Sequence, residues 1–430
     1  MSLLVLTLLF VAALLASLLI KCWLATRQMR HVAAHRNTVP PAFAQTIPLA
    51  AHQKAADYTL AKARFGLLST AFSAAVLIGW TLLGGLDALN GAVRDAVQPR
   101  WGGMGYQLAL LAAFSVVSGA IDLPFDLYST FRIEQRFGFN RVTWRLYVAD
   151  MLKGVVVGVA IGLPIAALIL WIMGATGALW WLWAWGAWVV FSLLIQVLYP
   201  TVIAPLFNKF EPLTDESLKA RVQSLMNRCG FAVKGLFVMD GSRRSAHGNA
   251  YFTGFGSAKR VVFFDTLLNK LTPGEVEAVL AHELGHFKHK HVTQRIVLMF
   301  GLSLAGFALL GWLSTQSWFY TALGVQPSMS APNDALALLL FLLVVPVFGF
   351  FVSPLFALLS RKHEFQADAY ACMQADGHDL AAALLKLHED NASTLTPDPV
   401  YVRFYYSHPP ASERLAALPL PNISPSGVTP

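Results

Sequence analysis

Long apolar stretches are the feature that most constrains what this chain can fold into. A helix needs about 20 predominantly apolar residues to cross the hydrocarbon of a bilayer. Seven stretches of the 430-residue chain meet this requirement, near 3–20, 66–86, 106–124, 155–173, 178–198, 296–312 and 335–359. The apolar share of 56% also exceeds the roughly 45–50% that is usual in soluble domains. The sequence therefore predicts a mainly α integral membrane protein with seven transmembrane helices.

Basic residues lie almost entirely on one side of these spans. If successive spans alternate in direction, thirty of the 32 Lys and Arg residues fall on the side that holds segment 206–295 and the carboxyl-terminal tail. By the positive-inside rule we expect that side to be cytoplasmic and the amino terminus to lie outside. Short, Ala-rich loops favour a bacterial cytoplasmic membrane. The basic residues form no stripe interleaved with aromatic residues, so nucleic acid is not an expected partner.

The long polar insertion has the pattern of a small α/β region. Residues 235–240 resemble a short strand, and the β-prone runs 249–255 and 260–264 are joined by Gly-Ser-Ala-Lys, which suits a hairpin. These patterns suggest a division of the chain into a five-helix membrane region, a cytoplasmic α/β region, two further transmembrane helices, a cytoplasmic helical region that completes a metal site, and a disordered tail. The respective boundaries are 1–205, 206–295, 296–359, 360–418 and 419–430.

A helix that follows the hairpin carries the chemistry. Thr272, Pro273 and Glu275 form a capping box with proline at the first helical position, so a helix starts there. It continues into the run HELGH, in which His282 and His286 are four residues apart and project from one helix face. Two imidazoles in this arrangement can bind one zinc ion at about 2.0–2.1 Å.

Glu283 is the natural general base of such a site. A carboxylate beside the first ligand can reach a water on the metal and take its proton without occupying the coordination sphere. The blander interpretation is an exposed polar helix face. His289 and His291, which follow the motif, are expected to be solvated.

A catalytic zinc site needs a third protein ligand. The metzincin pattern would need histidine at 292, where the chain has valine. Glu364 is the strongest candidate, because it follows the seventh apolar stretch and so lies on the same membrane side as HELGH. Asp368 falls one turn later, where it could accept a hydrogen bond from a ligating imidazole and fix its tautomer. A solvated surface helix is the alternative.

Together with HELGH and EFQAD, four further runs resemble the zinc-dependent, type I CaaX prenyl proteases. In chain order they are FRIEQRFGFNRVT, YPTVIAPLFNKFEPL, GNAYFTGFG and YYSHPPASERL, at 131–143, 199–213, 248–256 and 405–415. The resemblance implies that the seven helices enclose a water-filled chamber, with the zinc site near its cytoplasmic end.

The same resemblance assigns roles to individual residues. It implies one Zn²⁺ ion held by His282, His286 and Glu364, with Glu283 as the base and Asp368 orienting a ligand. His408 and Arg414 would stabilise the oxyanion of the tetrahedral intermediate. The run from Asn249 through Ala250 to Tyr251 would be an edge strand that receives an extended peptide, although a plain structural hairpin is the alternative.

Three functions are compatible with these features. The favoured one is an endopeptidase that cleaves near the carboxyl terminus of prenylated CaaX-type proteins, with membrane lipids as neighbours. A second is a quality-control protease for membrane proteins with no prenyl requirement. A third is a non-catalytic scaffold or transporter with structural zinc, but Glu283 argues against it because a structural site needs no base.

Overall fold

The computed structural model describes residues 2–253, 258–329 and 331–419. The predicted disordered tail, apart from its first residue, and half of the predicted hairpin turn lie outside these ranges. In chain order the helices are α1 Leu3–His35, α2 Leu49–Trp80, α3 Gly85–Tyr128, α4 Trp144–Ala175, α5 Trp180–Leu198, α6 Ala204–Phe207, α7 Glu216–Arg228, α8 Asp265–Leu268, α9 Pro273–Lys288, α10 His291–Leu313, α11 Ser317–Thr321, α12 Asp334–Gly349, α13 Ser353–Gln374, α14 Gly377–Asp390, α15 Pro399–Tyr405 and α16 Ala411–Ala417. The strands are β1 Phe210–Pro212, β2 Ala232–Met239, β3 Ala250–Thr253 and β4 Ala258–Phe264.

Seven spans account for the seven apolar stretches. Among the described residues, six helices are long and apolar enough to cross a membrane, namely α1, α2, α3, α4, α5 with its flanking turns, and α10. The seventh span is the pair α12 and α13, which are bent by 65° relative to each other. Pro354 lies in the first turn of α13, where its fixed φ suits the start of a new helix after the break. The prediction of a seven-helix membrane protein is confirmed.

The spans are packed together chiefly at one end. A continuous hydrophobic cluster joins the first parts of α1, α3 and α5 and most of α12 to the last turns of α2, α4 and α10, and includes Phe10, Trp80, Tyr106, Leu310 and Leu336. Because successive spans alternate in direction, all these helix segments lie on one side of the membrane. In each single-helix span, at most 22% of the residues in the membrane-spanning window are buried. Exposed apolar surface on this scale requires lipid around it.

The opposite side of the membrane carries a small sheet. Its strand order is β1-β2-β4-β3, with β2 parallel to β4 and the two outer strands antiparallel to their neighbours. Residues 235–239 of the strand predicted at 235–240 belong to β2, and the two β-prone runs pair as predicted, with Ala250 opposite Phe263. The strand β3 lies at the edge of this sheet.

The helix α9 packs on this sheet and presents the HELGH motif. Its predicted capping box is confirmed, since the Thr272 side chain accepts from the Glu275 N–H while the Glu275 side chain accepts from the Thr272 N–H. Val276, Leu280 and Leu284 form its buried face, in one core with residues of β4, α7 and α14. The packing of this buried face therefore holds the helix in place independently of its metal-facing side.

Candidate metal centre

The site forms where α9 lies directly against α13. A Cβ atom on Gly285 would lie only 2.9 Å from Ala367 Cα and 3.1 Å from the Ala367 carbonyl oxygen. Contacts this short do not occur between ordinary side chains and backbone, so only glycine permits this approach. The glycine within HELGH thus brings Glu364, one turn before Ala367, opposite the two histidines.

The three predicted ligands surround one point. His282 Nε2 and His286 Nε2 are 3.3 Å apart, and each lies 3.4 Å from a different oxygen of Glu364. Three ligands at about 2.0–2.1 Å from a tetrahedral zinc ion are separated by about 3.3–3.4 Å. Glu364 Oε2 is also buried without a hydrogen bond among the described residues, as expected for an oxygen whose partner is a metal ion. The donor set fits zinc.

An acidic side chain and an arginine hold the first ligand. Asp368 Oδ1 lies 2.8 Å from His282 Nδ1, so it can accept the ring proton and direct Nε2 towards the ligand cluster. Arg414 donates to both oxygens of Asp368, from Nε at 2.8 Å and from Nη2 at 2.6 Å. Burial lowers the pKa of His282, but the carboxylates of Asp368 and Glu364 outweigh it and raise that pKa to about 9. Metal binding must therefore displace a proton from this ring.

The second ligand is held by a histidine that was expected to be solvated. That expectation is wrong for His291, which is only 5% exposed, and holds for His289, which is exposed. His291 Nδ1 lies 3.1 Å from His286 Nδ1, and His291 Nε2 lies 2.9 Å from Gln366 Oε1. The reason is the turn after α9, which folds the chain back so that the first residue of α10 meets the metal site.

The two remaining candidates differ in what they face. The His408 side chain is 65% exposed, and its Nε2 lies 3.4 Å from Glu364 Oε1. The Arg414 side chain is only 11% exposed and is engaged by Asp368. His408 thus points into open space beside the ligands, whereas Arg414 lies behind them.

A buried arginine anchors the segment that carries His408. Arg361 donates to the carbonyl oxygens of Val402, Arg403 and Tyr406, at the end of α15. At the start of that helix, Asp398 caps the backbone and pairs with Arg27 of α1. The position of His408 is therefore tied both to α13 and to the first span.

A cavity of about 650 Å³ opens onto the ligands. Glu283 and His408 line it beside the three predicted ligands, and Tyr251 and Phe252 of β3 form another wall. Its remaining walls are largely apolar and include Leu298, Phe356, Leu359 and Phe404. A second cavity, of about 670 Å³, adjoins it and shares Tyr405 and His408. The predicted ligands thus face a cavity that has both polar and apolar walls.

Sequence reasoning missed three supporting residues. The contact between Gly285 and Ala367 is invisible without the helix pair, although a glycine inside a helix is itself a signal of close packing. His291 has the ligand-type side chain but lies five residues beyond His286, outside any helical face shared with it. Gln366 lies two residues from Glu364, and nothing in its position marks it.

A polytopic helical bundle with two histidines and a glutamate around one point, and a further glutamate in the same cavity, defines a membrane-embedded metalloprotease. Residues 28–209 match the family described as CAAX prenyl protease N-terminal, five membrane helices, and residues 212–421 match peptidase family M48.

Individual relatives agree with these matches over nearly the whole chain. CAAX prenyl protease 1 homolog of Arabidopsis thaliana is 37% identical, with 89% of this chain and 90% of the relative covered. CAAX prenyl protease 1 of Saccharomyces cerevisiae is 35% identical, with 88% of each covered. The crystal structure of S. mikatae Ste24p is similar with a TM-score of 0.88 at 32% identity, covering 96% of this chain and 98% of that one. The chain belongs to the type I CAAX prenyl protease family, as the sequence resemblance predicted.

The helix contact at Gly285 yields a first prediction. Gly285→Ala would insert a methyl group into the contact with Ala367, and overpacking of this kind costs about 1–3 kcal/mol. Separating α9 from α13 moves Glu364 away from the histidines, so we expect zinc affinity, measured by chelator competition, to fall at least about tenfold. Gly301→Ala on α10 is the matched control, since its Cβ would meet nothing within 4 Å. Wild-type zinc affinity in Gly285→Ala would contradict this account.

Proposed function

We propose that this chain is a zinc metalloendopeptidase that hydrolyses peptide bonds near the carboxyl terminus of prenylated CaaX-type substrates. The observation that carries the proposal is the triangle of His282, His286 and Glu364, with spacings that fit zinc, in a cavity that Glu283 also lines. The names of the relatives, CAAX prenyl proteases, supply the substrate class.

The chain's own residues perform the proton transfers of this reaction. A zinc ion held by His282, His286 and Glu364 would supply a Lewis acid that polarises the peptide carbonyl and makes water more acidic. Glu283 takes a proton from the attacking water and delivers it to the amine nitrogen of the leaving peptide. His408 points into the cavity and donates a hydrogen bond to the carbonyl oxygen as negative charge develops there. Arg414 acts through Asp368 and His282, which favours a positioning role over the direct oxyanion contact.

The edge strand β3 supports the binding of an extended substrate. The Phe264 N–H donates to the Asn249 carbonyl, so by the alternation of antiparallel pairing Tyr251 also faces β4. The backbone groups of Ala250 and Phe252 then point outwards, towards the space where a peptide can add as a further strand. The Asn249 side chain accepts from the Ala250 N–H at 2.8 Å. The outward-facing backbone that is available to a peptide therefore begins after this N–H.

The proposed location is a bacterial cytoplasmic membrane with the site facing the cytoplasm and the amino terminus outside. Two observations support this orientation: the clustered helix ends lie away from the sheet and the site, and thirty of the 32 basic residues fall on the side of the sheet. The positive-inside rule identifies that side as cytoplasmic. The division at residues 205, 295 and 359 stays a prediction, although α10 and α13 each run continuously through one of these boundaries.

Glu283→Gln tests the base. The amide keeps the size of the side chain but cannot take a proton, so we expect kcat on a farnesylated CaaX peptide to fall by about 10²–10⁴ while zinc stays bound. Peptide cleavage by the purified full chain and zinc content are the measurements. Glu216→Gln, an exposed change on α7, should leave both at wild-type values. Cleavage that survives both Glu283→Gln and a chelator would rule out the metalloprotease mechanism.

A comparison of a farnesylated peptide with its unmodified twin tests the prenyl requirement. Burial of each CH₂ unit contributes about 0.8 kcal/mol, so even partial burial against the apolar cavity walls gives more than about tenfold preference in kcat/KM. Equal rates on both peptides would remove the prenyl requirement and favour a quality-control protease. The zinc mechanism would be unaffected by that result.

Metal affinity distinguishes the proposed roles of His408 and Arg414. We expect His408→Ala to lower kcat by about 10²-fold or more without weakening zinc, because a removed oxyanion donor costs about that much. Arg414→Ala should lower kcat and also weaken zinc about 10–100-fold, because it leaves Asp368 without its partner. If both variants bind zinc as tightly as the wild type, the positioning role of Arg414 is wrong.

A further inference from the structure

The turn between α9 and α10 places His291 against the metal site at a conformational cost. Lys290 connects the two helices with φ at +58°, in the left-handed region that residues other than glycine rarely adopt. Strain of this kind persists only where surrounding contacts hold it, and it concentrates at functional sites. Here it turns the chain so that His291 reaches back to His286.

The protons on the two rings follow from the bonding partners. His286 Nε2 faces Glu364 and His282, and it must offer a lone pair to a metal ion. A neutral His286 ring therefore carries its proton on Nδ1 and donates it to His291 Nδ1. His291 must then carry its own proton on Nε2, where the Gln366 side-chain oxygen accepts it. Each N–H donor then has one acceptor, so only one assignment of protons to the ring nitrogens satisfies both hydrogen bonds.

The plane of the His291 ring is held independently of these hydrogen bonds. His363, on α13, stacks on it with ring centroids 3.9 Å apart and planes 8° from parallel. His289 stacks more loosely, at 5.4 Å and 15°. The ring therefore keeps Nδ1 directed at the ligand and Nε2 directed at α13.

We propose that His291 is a positioning residue for the metal. It fixes His286 in the Nδ1–H tautomer and so directs the Nε2 lone pair at the ion, with Gln366 fixing His291 in turn. This inference rests on the metal site of the proposed function, but not on its substrate. His291 thereby orients His286 as Asp368 orients His282. The difference is that His291 is neutral whereas Asp368 is charged.

Metal affinity of the purified full chain tests this inference. His291→Leu removes the acceptor, and we expect Zn²⁺ affinity, measured by chelator competition, to fall about 10–100-fold. The absorption bands of the Co²⁺-loaded protein should shift as the ligand ring reorients. His291→Asn places an amide oxygen near the original Nδ1 and should restore affinity to within about threefold. His378→Leu, which removes an exposed histidine at the start of α14, is the matched control and should bind like the wild type.

Rescue separates positioning from a structural role. If His291 serves only the packing of the turn, His291→Leu and His291→Asn should weaken metal binding equally, and the inference is overturned. It is also overturned if His291→Leu binds Zn²⁺ like the wild type. Should His291→Leu fail to fold, Gln366→Leu decides: weakened Zn²⁺ binding supports the arrangement, and unchanged binding refutes it. Failure of the protease proposal would show as absent peptide cleavage with intact metal affinities, a separate outcome.

Discussion

The close packing of Gly285 against Ala367 is the contact on which the rest of the site depends. It brings a helix of the sheet region, α9, within backbone distance of α13, which is part of the membrane bundle. With any larger residue at 285, the two helices would separate, and Glu364 would no longer lie beside both histidines. The site is thus a property of a helix pair, and neither helix alone contains it.

Charge balance around the ligands follows a consistent scheme. Glu364 is the one predicted ligand with a negative charge, while the charge of Asp368 is offset by bidentate pairing with Arg414. On the other side, His286 is supported by His291 and Gln366, which are neutral in the arrangement inferred above. With this ligand set, a bound Zn²⁺ would keep a net positive charge. That charge is what polarises a carbonyl in metal-ion catalysis, so the supporting residues preserve the chemistry as well as the geometry.

Features encoded locally could be predicted from the sequence, and those that depend on long-range packing could not. The capping box at Thr272 and the helix face shared by His282 and His286 depend only on residues a few positions apart. Glu364 could be found because the alternation of spans placed it on the same membrane side as HELGH. The burial of His291 depends on an unusual turn at Lys290. Asp368, with which the Arg414 side chain pairs, lies on a helix that is distant in the sequence. Propensity and spacing carry no information about either contact.

The helix α13 joins the membrane to the chemistry. Its first part completes the bent seventh span, and its continuation carries Glu364 and Asp368 without a break in the helix. The helix α10 likewise begins with His291 at the metal site and continues as a membrane span. Thus α13, which carries the predicted ligand Glu364, and α10, which carries His291 beside His286, are both continuous with membrane spans. The apolar residues on these same helices, Leu298 and Phe356 among them, line the cavity beside the ligands. In the proposed function, a lipid-modified chain end would approach the hydrolytic centre along these apolar surfaces.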